Sequence, residues 1–326
     1  MNTSQPRVAL RCDSSVEIGT GHVTRCYALA QELVSRGVAT DFVGSIANVP
    51  ILDKLPNQVR IKQEAETDWE EYSVAVLDSY NLEPEYALRI KSFGPKIAVI
   101  ADDATPALPG DLYIEPSVNL LWKPPAGYEH VERLKGPEFA LIRSELRQST
   151  NDISNPPIAD ETRVLVLLGG SGLSPYQLPL LAALDSLCVP LRVTLVTALP
   201  DIGQAHLDHI KMDISAPRLD LENLLESTDL VVSAAGVTSW EVLSSGKPLG
   251  IIAVVDNQEP NYSYMSETAI AVPLGRVYRN EPVDRDQLQR FLDGASSKEG
   301  MAARASKVVD GKGASRVVDA IMRLTK

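Results

Sequence analysis

Short runs of aliphatic residues recur along the chain, and most end in polar or glycine-rich residues. They are RVALRC (7–12), ATDFVG (39–44), SVAVLDSY (73–80), KIAVIADD (96–103) and LYIEPSVN (112–119), then RVLVLLGGSG (163–172), LRVTLVTAL (191–199), LVVSAAG (230–236) and PLGIIAVV (248–255). Such runs lack the alternation of a half-exposed sheet and predict parallel strands covered on both faces. Between them lie helix-length segments. In HVTRCYALAQELVSRG, Val23, Cys26, Tyr27, Ala30, Leu33 and Val34 fall on one helical face, and Gly37 stops the helix. Helices are also predicted over 174–187, 219–229 and 237–246, and the stretch 287–326 reads as helical on either side of DGKGA (310–314). The pattern is α/β throughout.

The series is interrupted once. QSTNDISNPPIADET (148–162) is polar, has no period and carries a Pro-Pro pair, which predicts a linker. The expected domains are therefore 1–147 and 163–326, two Rossmann-like halves facing each other across a cleft. A length of 326 residues suits two cores of ordinary size.

Composition narrows the function. The net charge of −12 argues against a nucleic-acid partner, because phosphate-backbone binding needs a basic surface. Three scattered cysteines, Cys12, Cys26 and Cys188, suggest neither a disulfide framework nor a metal site. The N-terminal MNTSQPRVAL lacks signal-peptide architecture, and no run reaches the roughly 18 apolar residues of a membrane span. The expectation is a cytoplasmic protein, a monomer or small homo-oligomer, with no membrane insertion, metal or cofactor.

Chemistry is expected at the strand ends, where ligands of parallel α/β domains bind. GTGH (19–22) joins the first strand to the first helix, whose free N–H groups can receive an anion. The spacing is not the dinucleotide GxGxxG, so Asp41 is not read as a ribose acceptor. His22 is either a general base or a histidine that only caps or packs the helix start. Asp13, Asp78 with Tyr80, and the Asp102–Asp103 pair end neighbouring strands, with helix capping as the alternative for each acid. In the second half, Gly170 and Ser171 sit on a glycine loop. Gly236, Thr238 and Ser239 open a helix that can hold a diphosphate, and Glu241 just inside it can accept from a ribose diol. Thr238 as a plain cap and Trp240 as core are the structural alternatives.

Together these segments resemble the UDP-sugar hydrolase family of pseudaminic acid biosynthesis, which removes UDP from a 2,4-diacetamido-2,4,6-trideoxy-L-altrose nucleotide. That family has the two-domain GT-B fold and is similar to the peptidoglycan GlcNAc transferase. The resemblance rests on RCDSSVEIGTGHVTRCYALAQEL, VAVLDSY, IADDA, LKGPEFALIRSEL, VLLGGSG, SAAGVTSWEVLSSGKP and VVDNQ, in family order over residues 7 to 275. It implies that His22 activates water at the anomeric carbon, and that Tyr80, Asn257 and Asp13 belong to the sugar pocket. It further implies that Gly19, Gly21, Arg25, Gly170, Ser171, Gly236, Thr238, Ser239, Glu241 and Gln258 contact substrate or nucleotide. The rival readings are a GT-B glycosyltransferase with a hydroxyl acceptor and a nucleotide-sugar binding protein without catalysis.

Overall fold

Residues buried on both faces build the centre of two parallel sheets. The computed structural model describes residues 6–14, 21–46, 50–55, 59–118, 121–147, 161–168, 175–197, 207–216, 220–294 and 298–326. The chain divides into one unit of residues 1–144 with 311–326, and a second of residues 145–310.

The first unit contains β1 (Arg7–Cys12), β2 (Ala39–Val43), β3 (Arg60–Lys62), β4 (Val74–Asp78), β5 (Lys96–Ile100), β6 (Leu112–Glu115) and β7 (Arg133–Lys135). Their order is β3-β2-β1-β4-β5-β6-β7, and every pair is parallel. Helices α1 (Gly21–Ser35) and α2 (Pro84–Ser92) follow β1 and β4. The second unit contains β8 (Thr162–Leu167), β9 (Leu191–Val196), β10 (Ile210–Ser215), β11 (Leu230–Ala234), β12 (Leu249–Ala253) and β13 (Val272–Arg276), in the order β10-β9-β8-β11-β12-β13. Its described helices are α3 (Gln177–Asp185), α4 (Leu221–Glu226), α5 (Val237–Ser244), α6 (Glu259–Glu267), α7 (Arg285–Leu292) and α8 (Lys298–Val308). Both sheets are doubly wound, with the order reversing beside the first strand of each. No described helix is long and apolar enough to cross a membrane.

One expectation is corrected. The last helix, α9 (Gly313–Leu324), packs in the first unit and not with the rest of 163–326. Its buried face, Val317, Val318 and Ile321, and the bonds from Arg36 to Asp319 and Ser315 hold it against α1. The first unit closes at Ser144, and the expected linker lies almost wholly outside the described residues. At the start of α9, a Cβ on Gly313 would strike the Ala140 carbonyl oxygen. Backbone cannot swing aside as a side chain can, so Gly313→Ala should undock this end of the helix. A loss of about 3 kcal/mol is expected in urea denaturation, the upper part of the overpacking range.

Asp41, in the middle of β2, is fully buried and ties three strands together. It accepts from Arg7 on β1 at 2.9 Å, from Arg60 on β3 at 2.8 and 3.0 Å, and from the Tyr72 hydroxyl at 2.9 Å. Burial alone would raise its carboxyl; the bonds from Arg60, Tyr72 and Arg7 outweigh it and hold the value at about 2. A depressed carboxyl stabilises the fold above its unfolded value near ~3.9, and that contribution fades as pH falls towards the folded value. Asp41→Asn is therefore expected to cost about 1 to 2 kcal/mol at pH 7, allowing for solvent screening at exposed Arg60. The cost should shrink in acid, as read by denaturation across pH 7 to 3.

Candidate active site

In the first sheet the strand order reverses between β1 and β4, whose final residues Cys12 and Asp78 are register partners. A crevice beyond the carboxyl ends of strands is expected there. Asp13, Asp78, Ser79 and Tyr80 come from these two strand ends, and Asp102 from the end of β5. Helix α1 supplies His22, Arg25 and Cys26, residues i, i+3 and i+4 on one helical face.

Asp78 is the hub. It is fully buried and its Oδ1 lies 2.5 Å from His22 Nδ1. Arg25 donates to the same carboxylate from Nε at 2.6 Å and from Nη2 at 2.5 Å. Arg25 Nη2 also approaches His22 Nδ1 at 2.9 Å, two donors converging on one oxygen. Burial pushes the Asp78 carboxyl up, but the charges of Arg25 and His22 and their hydrogen bonds hold it below the ordinary carboxylate range. As a carboxylate it accepts Nδ1–H, which leaves Nε2 as the nitrogen that exchanges a proton with substrate. His22 is only 3% exposed. A Cys26 thiol contact at 3.7 Å completes the surroundings of Asp78, and burial raises that thiol well above its ordinary value.

Tyr80 stands against His22 with ring centroids 4.4 Å apart and planes at 76°. Its hydroxyl donates to Asp102 Oδ2 at 2.8 Å. Burial raises the phenol above its ordinary value, with Arg25 opposing and Asp102 reinforcing, so it remains a donor. Asp13 has another occupation. Its Oδ1 is ion-paired with Arg11 Nη1 at 2.7 Å and accepts from the Ser45 N–H at 3.0 Å, and its Oδ2 accepts from Ser79 Oγ at 3.2 Å. It laces the ends of β1, β2 and β4 together. Gly44 makes this lacing possible: its φ is +138°, and a Cβ would strike the Cys12 carbonyl oxygen, Arg11 and Asp13.

In the second unit the order reverses between β8 and β11, where Leu167 partners Ser233. Beyond β11, Gly236 caps α5. Ser239 is buried and its hydroxyl returns to the Gly236 carbonyl at 2.5 Å, while Thr238 is half-buried. Glu241 and Trp240 are buried within α5. Gln258 accepts from the Val254 N–H at 3.0 Å, and its Nε2 lies 3.6 Å from where a Cβ on Gly236 would sit. Asn257 is exposed beside it. Asn261 donates to the Ala235 carbonyl at 3.3 Å, and its buried Oδ1 has no partner among the described residues.

The sequence-predicted residues thus fall into two groups. His22, Tyr80, Arg25 and Asp13 converge in the first unit, and Gly236, Thr238, Ser239, Glu241, Asn257 and Gln258 in the second. Gly19, Gly170 and Ser171 lie outside the described residues. Gly21 begins α1, where a Cβ would meet nothing within 4 Å, so the protein itself imposes no need for glycine. Arg25, expected to contact substrate, instead has its donors turned onto Asp78 and Asp102 and is 5% exposed. Asp78 and Asp102, left among the strand-end acids by the sequence, prove to be the partners that hold His22 and Tyr80.

No family model matches the chain. In an alignment of 277 positions that covers 76% of this chain and 55% of the other, it is 21% identical to an uncharacterised protein of Methanocaldococcus jannaschii. Among solved structures, MurG of Acinetobacter baumannii matches 98% of this chain and 100% of its own, with a TM-score of 0.61 and 14% identity. The glycotransferase of kitacinnamycin matches 98% of this chain and 99% of its own, with a TM-score of 0.64 and 15% identity. UGT89C1 of Arabidopsis thaliana, complexed with UDP-L-rhamnose, matches 99% of this chain and 100% of its own, with a TM-score of 0.68 and 13% identity. The fold is GT-B. At these identities the likeness is one of fold, and the chemistry must be argued from the side chains.

Proposed function

We propose that this chain transfers a sugar from a UDP-activated donor to a hydroxyl group, with His22 as the general base. The observation that carries this reading is the buried Asp78 carboxylate 2.5 Å from His22 Nδ1, at the switch point of the first sheet. In the proposed step, the hydroxyl proton passes to His22 Nε2 as the oxygen bonds to the anomeric carbon. The bond from that carbon to the phosphate oxygen breaks, and UDP leaves with the electron pair. Attack opposite the leaving group inverts the anomeric centre. We assign donor binding to the start of α5, with Gly236, Thr238 and Ser239 at the diphosphate and Glu241 at the ribose, and with Asn257 and Gln258 beside them. Gly170 and Ser171 are assigned to the same task. The glycosyltransferases of like fold support the choice of reaction, and UGT89C1 with UDP-L-rhamnose supports the donor class.

A second reading takes water as the nucleophile, as in the hydrolases of pseudaminic acid biosynthesis. The 3% exposure of His22, with Tyr80 against its ring, favours a small attacking group. Incubation with a panel of UDP-sugars, with and without hydroxyl acceptors, separates the two by mass spectrometry. A glycosylated acceptor supports transfer; free sugar and UDP without acceptor support hydrolysis. Binding with neither product would remove the catalytic assignment of His22.

A further inference from the structure

One carboxylate in the first unit is unexplained by a base and its partner. Arg25 lies between two acids, paired with Asp78 through Nε and Nη2 and with Asp102 Oδ2 through Nη1 at 3.2 Å. One cation against two carboxylates leaves the cluster with one negative charge while His22 is neutral. Among the described residues, the other charged groups at these strand ends do not cancel it. Asp13 on the β1 end is paired with Arg11, and Asp103 beside Asp102 is exposed to solvent.

Asp102 is also built into place. Its Oδ1 accepts from the Ala104 N–H at 3.1 Å and from the Thr105 hydroxyl at 3.2 Å, and its own N–H donates to Thr105 Oγ1 at 2.9 Å. The sequence DDAT (102–105) supplies this turn, in which an aspartate bonds the backbone two residues on. The remaining oxygen, Oδ2, is thereby aimed at Tyr80 Oη and Arg25 Nη1.

We propose that Asp102 is a positioning residue for the base: it holds the Tyr80 ring against His22 and leaves the cluster one negative charge that a protonated His22 neutralises. When His22 takes the nucleophile's proton, the four charged groups His22, Arg25, Asp78 and Asp102 sum to zero. Without Asp102, the same step leaves a buried cluster with one positive charge, which a low-dielectric site disfavours. The proposal rests on His22 acting as the base.

Asp102→Asn removes the charge and keeps the shape. Its kcat should fall by about 10- to 100-fold with KM and UDP affinity within about threefold, the pattern of an interaction made in the transition state. Asp103→Asn, the same change one residue along, should stay within about threefold of the parent. Equal losses in the two variants, or an unchanged kcat in Asp102→Asn, would overturn the proposal. A second readout needs no substrate. The ring protons of His22, assigned by His22→Gln, feel the ring current of Tyr80. Asp102→Ala should move those NMR signals to their positions in Tyr80→Ala, and signals that stay put would remove the positioning role. Persistent turnover in His22→Gln would instead sink the base assignment, leaving the NMR measurement to judge Asp102 by itself.

Discussion

His22→Ala is expected to lower kcat by about 10³-fold, within the range that a positioned acid or base contributes. UDP affinity should change by less than about threefold, because the proposed nucleotide contacts come from α5 and not from His22. The fold should survive. Asp78 would keep both its bonds from Arg25, so no buried charge is left alone. The variant loses one hydrogen bond to a charged group and some packing against Tyr80, a cost of about 1.5 to 3 kcal/mol. Steady-state turnover of the UDP-sugar chosen by the panel, together with UDP titration and thermal unfolding, separates these effects. An unchanged kcat would show that Asp78 merely satisfies a packed histidine.

The two sheets were unequally legible in the sequence, and the difference follows burial. Every interior strand, from RVALRC to PLGIIAVV, reads as a run of aliphatic residues because helices or chain cover both of its faces. The four strands without such a signal are β3, β7, β10 and β13, and these are the four edges. RIK, RLK and IKMDIS mix charge with apolar residues, and VPLGR carries a proline, as edges that must resist further pairing do. The return of α9 to the first unit was hidden for another reason. Its amphipathic pattern shows that it buries a face, but a period cannot name the partner.

The site was legible to the same degree. His22 and Tyr80 were singled out separately, and the structure brings their rings together. That Asp78 and Asp102 serve them depends on β4 and β5 lying side by side with α1 above, which is tertiary information. Arg25 illustrates the limit most clearly. A cationic residue one turn into a helix after a glycine loop suggests an anion site, yet its donors meet carboxylates that only the folded sheet supplies. Asp41 shows the reverse: the spacing argument against a ribose role stands beside a carboxylate committed to Arg7, Arg60 and Tyr72.

Arg25→Met should cost about 3 to 5 kcal/mol at pH 7, because removing one partner of a buried pair strands the other charge. Asp78 is fully buried and would lose two of its strongest bonds, and Asp102 would lose a third contact. The pH dependence has a definite sign. In the parent protein the Asp78 carboxyl is held below the ordinary range, so its stabilising effect is complete above the unfolded value near ~3.9 and is lost as pH falls through the lower folded value. In the variant only His22 opposes burial, so the carboxyl sits higher than in the parent. The gap between the two proteins is therefore widest near neutrality and narrows in acid, as urea denaturation from pH 7 to pH 3 would show. Equal stability at pH 7 would mean that solvent already reaches the pair. The double variant Arg25→Met with Asp78→Leu tests the cause. Replacing a buried ion pair by apolar side chains is often neutral, so most of the lost stability should return, to within about 1 kcal/mol of the parent. Turnover should not return with it, because His22 would have no carboxylate to fix its Nδ1–H. If the double variant were as unstable as Arg25→Met alone, packing and not charge would account for the loss.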